Sequence, residues 1–600
     1  MPQQNPEAPQ EAGNTVSAPV TAATSTVLTS PLDHILIFGH GWFQRLVLFC
    51  STLAFFTTVL QAAAINSLAR PADHWCRPPA EYAHVPAEIW RNTSVPLEAD
   101  GVTRHKCLRY EPPLPSGEEP GVEERSTIPC DAGWDFEVDA ASIIKEWNIV
   151  CERDWIMTAL IAAYMLGGVI AAPFSGIAAD RIGRRPVLCI WTFLLMFAGI
   201  GVAFAKTLIA FAALRALLSA AAAGVVVTST VVLFEVTDTQ HRALFCSVAE
   251  AGGSLLASVY QAVVLGMVYD WKAVQIVCMV PTCCLILGVY LMEESPCWLL
   301  AVLKMRRAEN VLSWAARVNN ADPNDFKHRL SALRVELKRQ QEQQQDPGSS
   351  DIFLGPQDVR VTELVRNQSL RHRSLLIFGC WFVAFAIYYK LLTGHVMRSN
   401  HGARLALLLL KLPGTIVNVI IIKYAGRRRT LSLSMITMAP VAGALAIGHT
   451  VRAPGYFLAA LVVVWMLVFD LFAVTLFILT AELYPTVVRG AGLAFSYTCG
   501  RVGAFIAPFL NEIHSSDMKG LMYAVAAALL LFFGVMALAL PETTELQPAN
   551  TMHDFAAEKW QLQSPLRVAR KGSKRKRAKG GQSTSREQPN RTGSEEQDAR

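Results

Sequence analysis

Charged residues recur in this sequence at two matching places, each set between long apolar stretches. The first group is GIAADRIGRRP, Gly176–Pro186, and the second is AGRRR, Ala425–Arg429. Each group is followed by a glutamate and an arginine that lie seven positions apart: Glu235 and Arg242, then Glu482 and Arg489. Carboxylates and guanidinium groups form charge-assisted hydrogen bonds that can break and form again when two parts of a molecule move.

The repetition predicts two related halves with equivalent charged positions, since transporters built from repeats rock about a central site. The alternative is that these charges only fix the orientation of the chain in a membrane. We interpret them as gating residues. The candidates are Asp180, Arg181, Arg184, Arg185, Glu235, Arg242, Arg427, Arg428, Glu482 and Arg489.

A second set of charges lies inside the apolar stretches. Arg501 is in the middle of one stretch, Lys411 lies in another, and Lys390 follows a pair of tyrosines. An ionisable group at membrane depth is costly, so it typically faces a cavity or a partner. A guanidinium can hold a carboxylate or sulfate through two parallel bonds. The alternatives are an ion pair between Arg501 and Asp470, and lysines that extend to the membrane interface.

Aromatic residues complete the predicted ligand site. Rings can stack on the apolar body of a ligand or on an ammonium group, although aromatic residues in a helix bundle also pack simply against one another. The candidate substrate-binding residues are Arg501, Lys411, Tyr388, Tyr389, Lys390, Trp381, Tyr260 and Tyr497.

The elements that must position these residues are membrane-spanning helices. Hydrophobic residues make up 52% of the 600 residues, and the apolar runs have the length of about 20 residues that a bilayer core demands. The predicted fold is therefore an all-α polytopic membrane protein with twelve transmembrane helices in two six-helix halves. The predicted spans are roughly 43–65, 156–179, 187–205, 207–233, 243–269, 273–292, 374–393, 403–423, 430–448, 454–481, 491–511 and 520–540.

The basic residues predict the orientation of the spans. Loops rich in arginine and lysine alternate with loops that hold one such residue, and the rich set is expected on the cytosolic side. Both termini are then cytosolic, and residues 1–30 show no pattern of a cleaved signal peptide. The predicted regions are a tail (1–41), the first helix (42–65), an extracellular loop (66–155), helices two to six (156–292), a helical linker (293–373), helices seven to twelve (374–540) and a basic tail (541–600). That last tail is either solvated or bound to anionic lipid.

The extracellular loop has its own chemistry. Its four cysteines, Cys76, Cys107, Cys130 and Cys151, permit three pairings that the sequence does not distinguish. Two disulfides are expected to brace a loop that lacks a large core. The glycosylation site predicted in this loop is Asn92; the motifs at Asn367 and Asn590 fall in segments placed inside.

The cytosolic linker is expected to contain short amphipathic helices. The segments Arg306–Asn319 and His328–Gln345 alternate apolar and charged residues at helical spacing. The linker either takes part in gating or merely joins the two halves.

Several longer motifs resemble the organic cation, anion and carnitine transporter family of the major facilitator superfamily. They are GIAADRIGRRP, Arg215, Glu235 with Arg242, Gly253–Tyr260, Trp271-Lys272, ESPCWLL (Glu294–Leu300), Tyr388-Tyr389, AELYPTVVRG (Ala481–Gly490) and LPETTEL (Leu540–Leu546). The resemblance implies a secondary carrier that works by alternating access at the plasma membrane. It also implies that an acidic residue of the cation carriers is replaced here at Arg501 and Lys411, which favours organic anions or zwitterions.

The chain also departs from that family's pattern. Lys423 stands where the second half would have an aspartate, and Cys297 stands where an arginine is expected. The alternatives are therefore an organic cation carrier of the same family, or a receptor or scaffold that no longer transports.

Other classes of protein are disfavoured. The sequence has no phosphate-binding loop of an ATP-driven pump, no cluster of residues typical of a membrane enzyme, and no filter motif of a channel. We expect no enzymatic activity, cofactor, metal or nucleic-acid partner. The expected partners are a small organic ion, the lipid bilayer, and a coupling ion or an exchanged anion.

Overall fold

The computed structural model describes residues 35–97, 103–111, 126–137, 141–238, 240–344, 363–394, 401–513 and 516–544. Twelve helices in these ranges are long and apolar enough to cross a bilayer, which confirms the predicted fold class. They are α1 Trp42–Leu68, α2 Cys151–Ile182, α3 Arg184–Ala203, α4 Leu208–Val236, α5 Arg242–Met267, α6 Trp271–Leu291, α7 Leu370–Thr393, α8 Ala406–Ala425, α9 Arg427–Thr450, α10 Gly455–Leu483, α11 Thr486–Asn511 and α12 Asp517–Ala537.

The two halves meet chiefly along α2 and α11, and also along α5 and α8. At the α2–α11 crossing, a Cβ atom on Gly176 would lie 2.3 Å from the carbonyl oxygen of Gly490. Small residues allow this close approach of two helices, since a larger side chain would push the backbones apart. We call this end of the bundle, which holds the duplicated charges, the motif end.

α2 is longer than predicted, because Asp180 and Arg181 continue the helix to Ile182. It stops at Gly183, whose φ of +125° is a backbone conformation that residues with side chains rarely adopt. α5 also has an irregularity: its backbone forms a π-helical turn over Val248–Gly252.

The loop between α1 and α2 contains two small antiparallel sheets. β1 (His74–Cys76) pairs with β4 (Trp134–Phe136), and β2 (Leu108–Glu111) pairs with β3 (Ser126–Pro129). Disulfides join Cys76 to Cys130 and Cys107 to Cys151, which selects one of the three pairings left open by the sequence. Asn92 is exposed on the short helix Ala87–Ser94.

The linker between the halves forms helices Met305–Val318 and Pro323–Gln344, close to the segments expected from the sequence. It is fastened to the start of α1 by Asn319, whose side-chain oxygen accepts a 2.9 Å bond from the Phe43 N–H. Its amide nitrogen donates to the Phe38 carbonyl at 3.1 Å. Trp314 also packs edge-on against the Phe43 ring at 5.6 Å. These contacts hold the linker against the first half. Asn590 and the basic tail lie outside the described residues.

Candidate functional site

Glu235 is the centre of a buried ionic cluster at the motif end. Its carboxylate accepts two bonds from Arg184, at 2.9 and 3.2 Å, and one from the Ser295 hydroxyl at 2.6 Å. Arg489 from the other half donates a fourth bond at 3.3 Å. The side chains of Glu235 and Arg184 are 0% exposed, so water does not screen this cluster as it would a surface pair.

Glu482 has the corresponding role in the second half. Arg242 reaches across from the first half and donates to its carboxylate at 3.4 Å. Arg427 approaches it at 3.8 Å, and the Thr543 hydroxyl donates to it. Each glutamate therefore forms an ion pair with an arginine of the opposite half, Glu235 with Arg489 and Glu482 with Arg242. The spacing in the sequence suggested contacts between the halves but did not specify these pairs.

Two glutamates outside the predicted set position these clusters. Glu294 accepts from the backbone N–H of Arg184 at 2.9 Å, at the start of α3. Glu542 accepts from the N–H of Arg427, also at 2.9 Å, at the start of α9. A carboxylate at a helix N-terminus accepts hydrogen bonds from N–H groups that have no partner within the helix, and it interacts favourably with the helix dipole. Burial raises the pKa of the Glu294 carboxyl, while bonds from backbone N–H groups, led by that of Ser295, oppose the rise.

Neither glutamate is among the residues predicted for the site, although the motifs ESPCWLL and LPETTEL contain them. The signal was available: Glu294-Ser295 and Glu542-Thr543 are separated by almost the same interval as the other duplicated charges.

Asp180 joins the halves without an arginine from the other half. Its carboxylate accepts from the backbone N–H groups of Gly490 at 3.1 Å and Ala491 at 2.8 Å, at the start of α11. It also lies 3.1 Å from the Arg184 guanidinium. The helix termination at Gly183 therefore places Asp180 as a cap on a helix of the opposite half.

The remaining charges of the motif end have lesser roles. Arg181 is exposed, and Arg185 bonds the Tyr290 carbonyl at 2.8 Å. Arg428 donates to the Leu540 carbonyl at 3.4 Å. Of the two departures from the family pattern, Lys423 is exposed, whereas the buried Cys297 sulfur lies 3.7 Å from the Thr486 hydroxyl of the second half.

Arg501 lies in the interior of the bundle on α11. Its guanidinium donates to the hydroxyl of Tyr497 and, at 3.4 Å, to that of Tyr389. The Met165 sulfur of α2 lies 3.6 Å away. Arg501 is 5% exposed, and among the described residues no carboxylate lies within 4.0 Å of it. The ion pair with Asp470 is therefore not formed here.

The other predicted ligand residues divide into two groups. Tyr388 stacks on Phe469 at 4.2 Å and meets Tyr389 edge-on at 5.2 Å, so it lies beside the Arg501 group. Trp381 packs against the Tyr497 ring at 5.8 Å and donates to the Thr480 hydroxyl at 3.1 Å. These rings form a wall next to Arg501.

Lys390 and Tyr260 lie apart from this wall. The ammonium of Lys390 sits 4.1 Å above the Tyr523 ring of α12. The Tyr260 hydroxyl donates to the Val277 carbonyl at 3.0 Å and so links α5 to α6. The structure places neither of them in contact with Arg501.

Lys411 belongs to a second buried charged group. Its ammonium donates to Ser254 of α5 at 2.6 Å and lies 3.9 Å from Asp470 of α10. Glu250, in the π-helical turn of α5, interacts electrostatically with both Lys411 and Asp470. Glu250 lies two turns inside α5, so the spans hold this carboxylate in addition to Asp470.

Known proteins are similar to this chain in sequence or in fold. A family model described as "Sugar (and other) transporter" matches residues 133–552. The "Beta-alanine transporter" of Drosophila melanogaster is 27% identical over 86% of this chain and 88% of its own length. "Solute carrier family 22 member 7" of Homo sapiens is 27% identical over 79% of this chain and 86% of its own length.

Two further comparisons concern an anion carrier and a solved structure. "Organic anion transporter 3" of Oryctolagus cuniculus is 27% identical over 82% of this chain and 86% of its own length. The major facilitator superfamily proton:xylose symporter XylE, solved with 6-bromo-6-deoxy-D-glucose, superimposes with a TM-score of 0.60 at 13% identity. That alignment covers 86% of this chain and 98% of the symporter, which shows that the two share a fold.

Proposed function

Since the chain belongs to the sugar (and other) transporter family, we propose that it carries small organic anions or zwitterions across a membrane by alternating access. It is a multi-pass membrane protein of the solute carrier 22 type, as the resemblance in its motifs indicated. The proposed preference for a substrate with a negatively charged group rests on the site around Arg501.

The observation that carries this proposal is the environment of Arg501. A guanidinium has lost nearly all contact with water, yet tyrosine hydroxyls rather than a carboxylate surround it. Burying an uncompensated charge is costly, so a protein keeps one where a ligand can supply the opposite charge. The guanidinium fork matches a carboxylate or a sulfate in two parallel bonds.

The wall beside Arg501 supports an organic substrate rather than an inorganic anion. Tyr388 and Tyr389 offer rings together with hydroxyl groups, and Trp381 adds an apolar surface against the Tyr497 ring. Aromatic rings stack on the apolar body of a ligand and attract an ammonium group. The printed name of the Drosophila relative, a β-alanine transporter, agrees with a zwitterion as one class of substrate.

The clusters at the motif end support a gate. We place this end on the cytosolic side of the plasma membrane, with both termini inside, because its loops are rich in arginine and lysine. Bonds between the halves, including Glu235 to Arg489 and Glu482 to Arg242, close this end in the present conformation. They must break for the site to open inward, and charge-assisted bonds can form again afterwards.

Counterflow in proteoliposomes tests the proposal. The purified full chain is reconstituted, loaded with unlabelled probe and given labelled probe outside. The probes are p-aminohippurate as an anion, β-alanine as a zwitterion and tetraethylammonium as a cation. We expect counterflow of the first or the second, but not of the third. Counterflow of tetraethylammonium alone would contradict the anion or zwitterion proposal.

Variants locate the effect at Arg501. Arg501→Ala removes a charge-assisted bond worth about 1.5–3 kcal/mol, so the apparent affinity should fall about ten- to a hundredfold. Arg501→Lys should retain part of the attraction but lose the two-pronged geometry. Lys390→Met is the matched control, since it removes a buried cation that does not contact Arg501. Normal anion uptake by well-expressed Arg501→Ala would refute the role of Arg501.

A further inference from the structure

Three helices bring charged and polar groups together in the neighbourhood of Tyr388. α5 contributes Glu250 and Ser254, α8 contributes Lys411, and α10 contributes Asp470. From α7, Tyr388 experiences the charges of Asp470, Glu250 and Arg501. From α1, the neighbours of α5 at Gly253 are the uncharged Thr52 and Phe55. We call Glu250, Asp470, Lys411 and Ser254 the acidic cluster.

The acidic cluster lacks one positive charge. Its two carboxylates face a single ammonium, and that ammonium is already directed at Ser254 and Asp470. The Oε2 atom of Glu250 is buried and has no hydrogen-bond partner among the described residues. An ionised carboxylate without a partner is costly in such surroundings. An ionised Glu250 would therefore leave the cluster with one negative charge more than its single ammonium balances.

The geometry favours the smallest cation. Glu250 as a residue is half-buried, but its unpartnered Oε2 atom is out of reach of solvent, so a bulky substrate ammonium cannot reach that atom in this conformation. A metal ion would need several oxygen ligands around it, whereas a proton needs one. Asp470 is 16% exposed at its side chain and offers a path for a proton between the interior and water. The π-helical turn that carries Glu250 is a feature often found at functional sites.

We propose that the acidic cluster binds one proton, held on Glu250, and that this proton is transported together with an organic monoanion bound at Arg501. The step makes and breaks one bond: a proton from extracellular water joins the Glu250 carboxylate, and the same proton passes to cytosolic water after the bundle opens inward. The inference rests on the proposed function, because it names the ion that accompanies the substrate.

Charge links the two binding events. An anion that neutralises Arg501 removes positive potential from the neighbourhood of Tyr388, which also experiences Glu250 and Asp470. A proton on Glu250 then costs less, since opposite and like charges within a low-dielectric interior act over several ångströms. The proton and the anion therefore favour each other, and by linkage this preference is reciprocal.

The test uses the reconstituted full chain with p-aminohippurate as the probe. Counterflow at equal pH on both sides measures transport of the probe without any contribution from a proton gradient. A gradient of one pH unit, acidic outside, then measures coupling: a one-to-one symport should accumulate the probe about tenfold, because a pH unit corresponds to about 1.36 kcal/mol. A dye in the lumen should report acidification at the same time.

Glu250→Gln should keep counterflow and lose both the accumulation and the acidification. Glu152→Gln is the matched control, since that glutamate is exposed at the start of α2, next to the disulfide-bonded Cys151. Counterflow by the wild-type protein with no response to the pH gradient would overturn the inference and leave the proposed function intact. Accumulation driven by a sodium gradient instead, or β-alanine counterflow that requires Glu250, would also overturn it.

If no probe shows counterflow, the proposed function fails and the proton site is tested without substrate. Near neutral pH, where exposed carboxyl groups are ionised, infrared spectra of the protein in lipid should still show a protonated carboxyl band that disappears as the pH rises further. This band should be missing in Glu250→Gln and present in Glu152→Gln. A spectrum without such a band in the wild-type protein would contradict the proton site.

Discussion

Asp180→Asn is the sharpest perturbation of the contact between the halves. The carboxylate accepts from two backbone N–H groups of α11 and lies beside Arg184. An asparagine keeps one acceptor oxygen, but its amide nitrogen would face an N–H donor. At least one bond to a charged acceptor is lost, which costs about 1.5–3 kcal/mol. Arg184 retains its pair with Glu235, so the folded bundle should persist.

This loss acts on the closed conformation alone, because an opened motif end no longer forms the bond. The ratio of open to closed molecules should therefore rise about ten- to a hundredfold, in line with the relation between free energy and equilibrium constants. A surface pair would change the ratio little, since such pairs are worth about 0–1 kcal/mol. The Asp180 side chain is only 9% exposed, so the larger value for a buried bond applies here.

Cys297 provides a native reporter of opening. Its thiol is buried beside Thr486 at the contact between the halves, so a maleimide applied from the cytosolic side should reach it only when the motif end opens. Mass spectrometry of the peptide that contains Cys297 would give the alkylation rate, and Cys297→Ser identifies background labelling. Arg181→Gln, a change at an exposed neighbour, is the matched control. An alkylation rate in Asp180→Asn equal to that of the wild-type protein would refute the reasoning.

Two further predictions concern the loop and the second half. Asn92→Gln should remove an N-glycan and shift the protein on a gel, whereas Asn367→Gln should not; a glycan at Asn367 would overturn the proposed orientation. Lys423→Asp should allow a carboxylate to cap the start of α5, as Asp180 caps α11, and thereby stabilise the closed state by about 0.5–2 kcal/mol. The alkylation rate of Cys297 should then fall, and an unchanged rate would show that the two halves are not equivalent at this position.

The helices could be predicted from the sequence because their signal is local. Apolar runs of sufficient length define the spans, and Gly183 and Gly426 mark where α2 and α8 end. The disulfide pairing could not be predicted, since four cysteines in one loop permit three arrangements and the sheets that select one are formed by distant segments.

Residue types at the motif end could also be anticipated, but not their partners. Duplication identified Glu235 with Glu482, and Arg242 with Arg489, as equivalent positions. The 3.3 Å contact between Glu235 and Arg489 depends on how the two halves pack. Glu250 escaped notice for a different reason. A single glutamate near the end of a span resembles an interfacial residue, and the π-helical turn that directs it inward has no clear signature in the sequence.

The distribution of carboxylates connects the motif end with the interior site around Arg501. At the motif end, Glu235 and Glu482 each engage arginines of both halves, and Asp180 engages the start of α11. The closed conformation therefore leaves none of these carboxylates to neutralise Arg501. Within the acidic cluster, Lys411 lies beside Asp470 rather than Arg501. Because the described interior supplies no counter-ion to Arg501, the missing negative charge is best supplied by the substrate, which is why the selectivity of the carrier should depend on this one side chain.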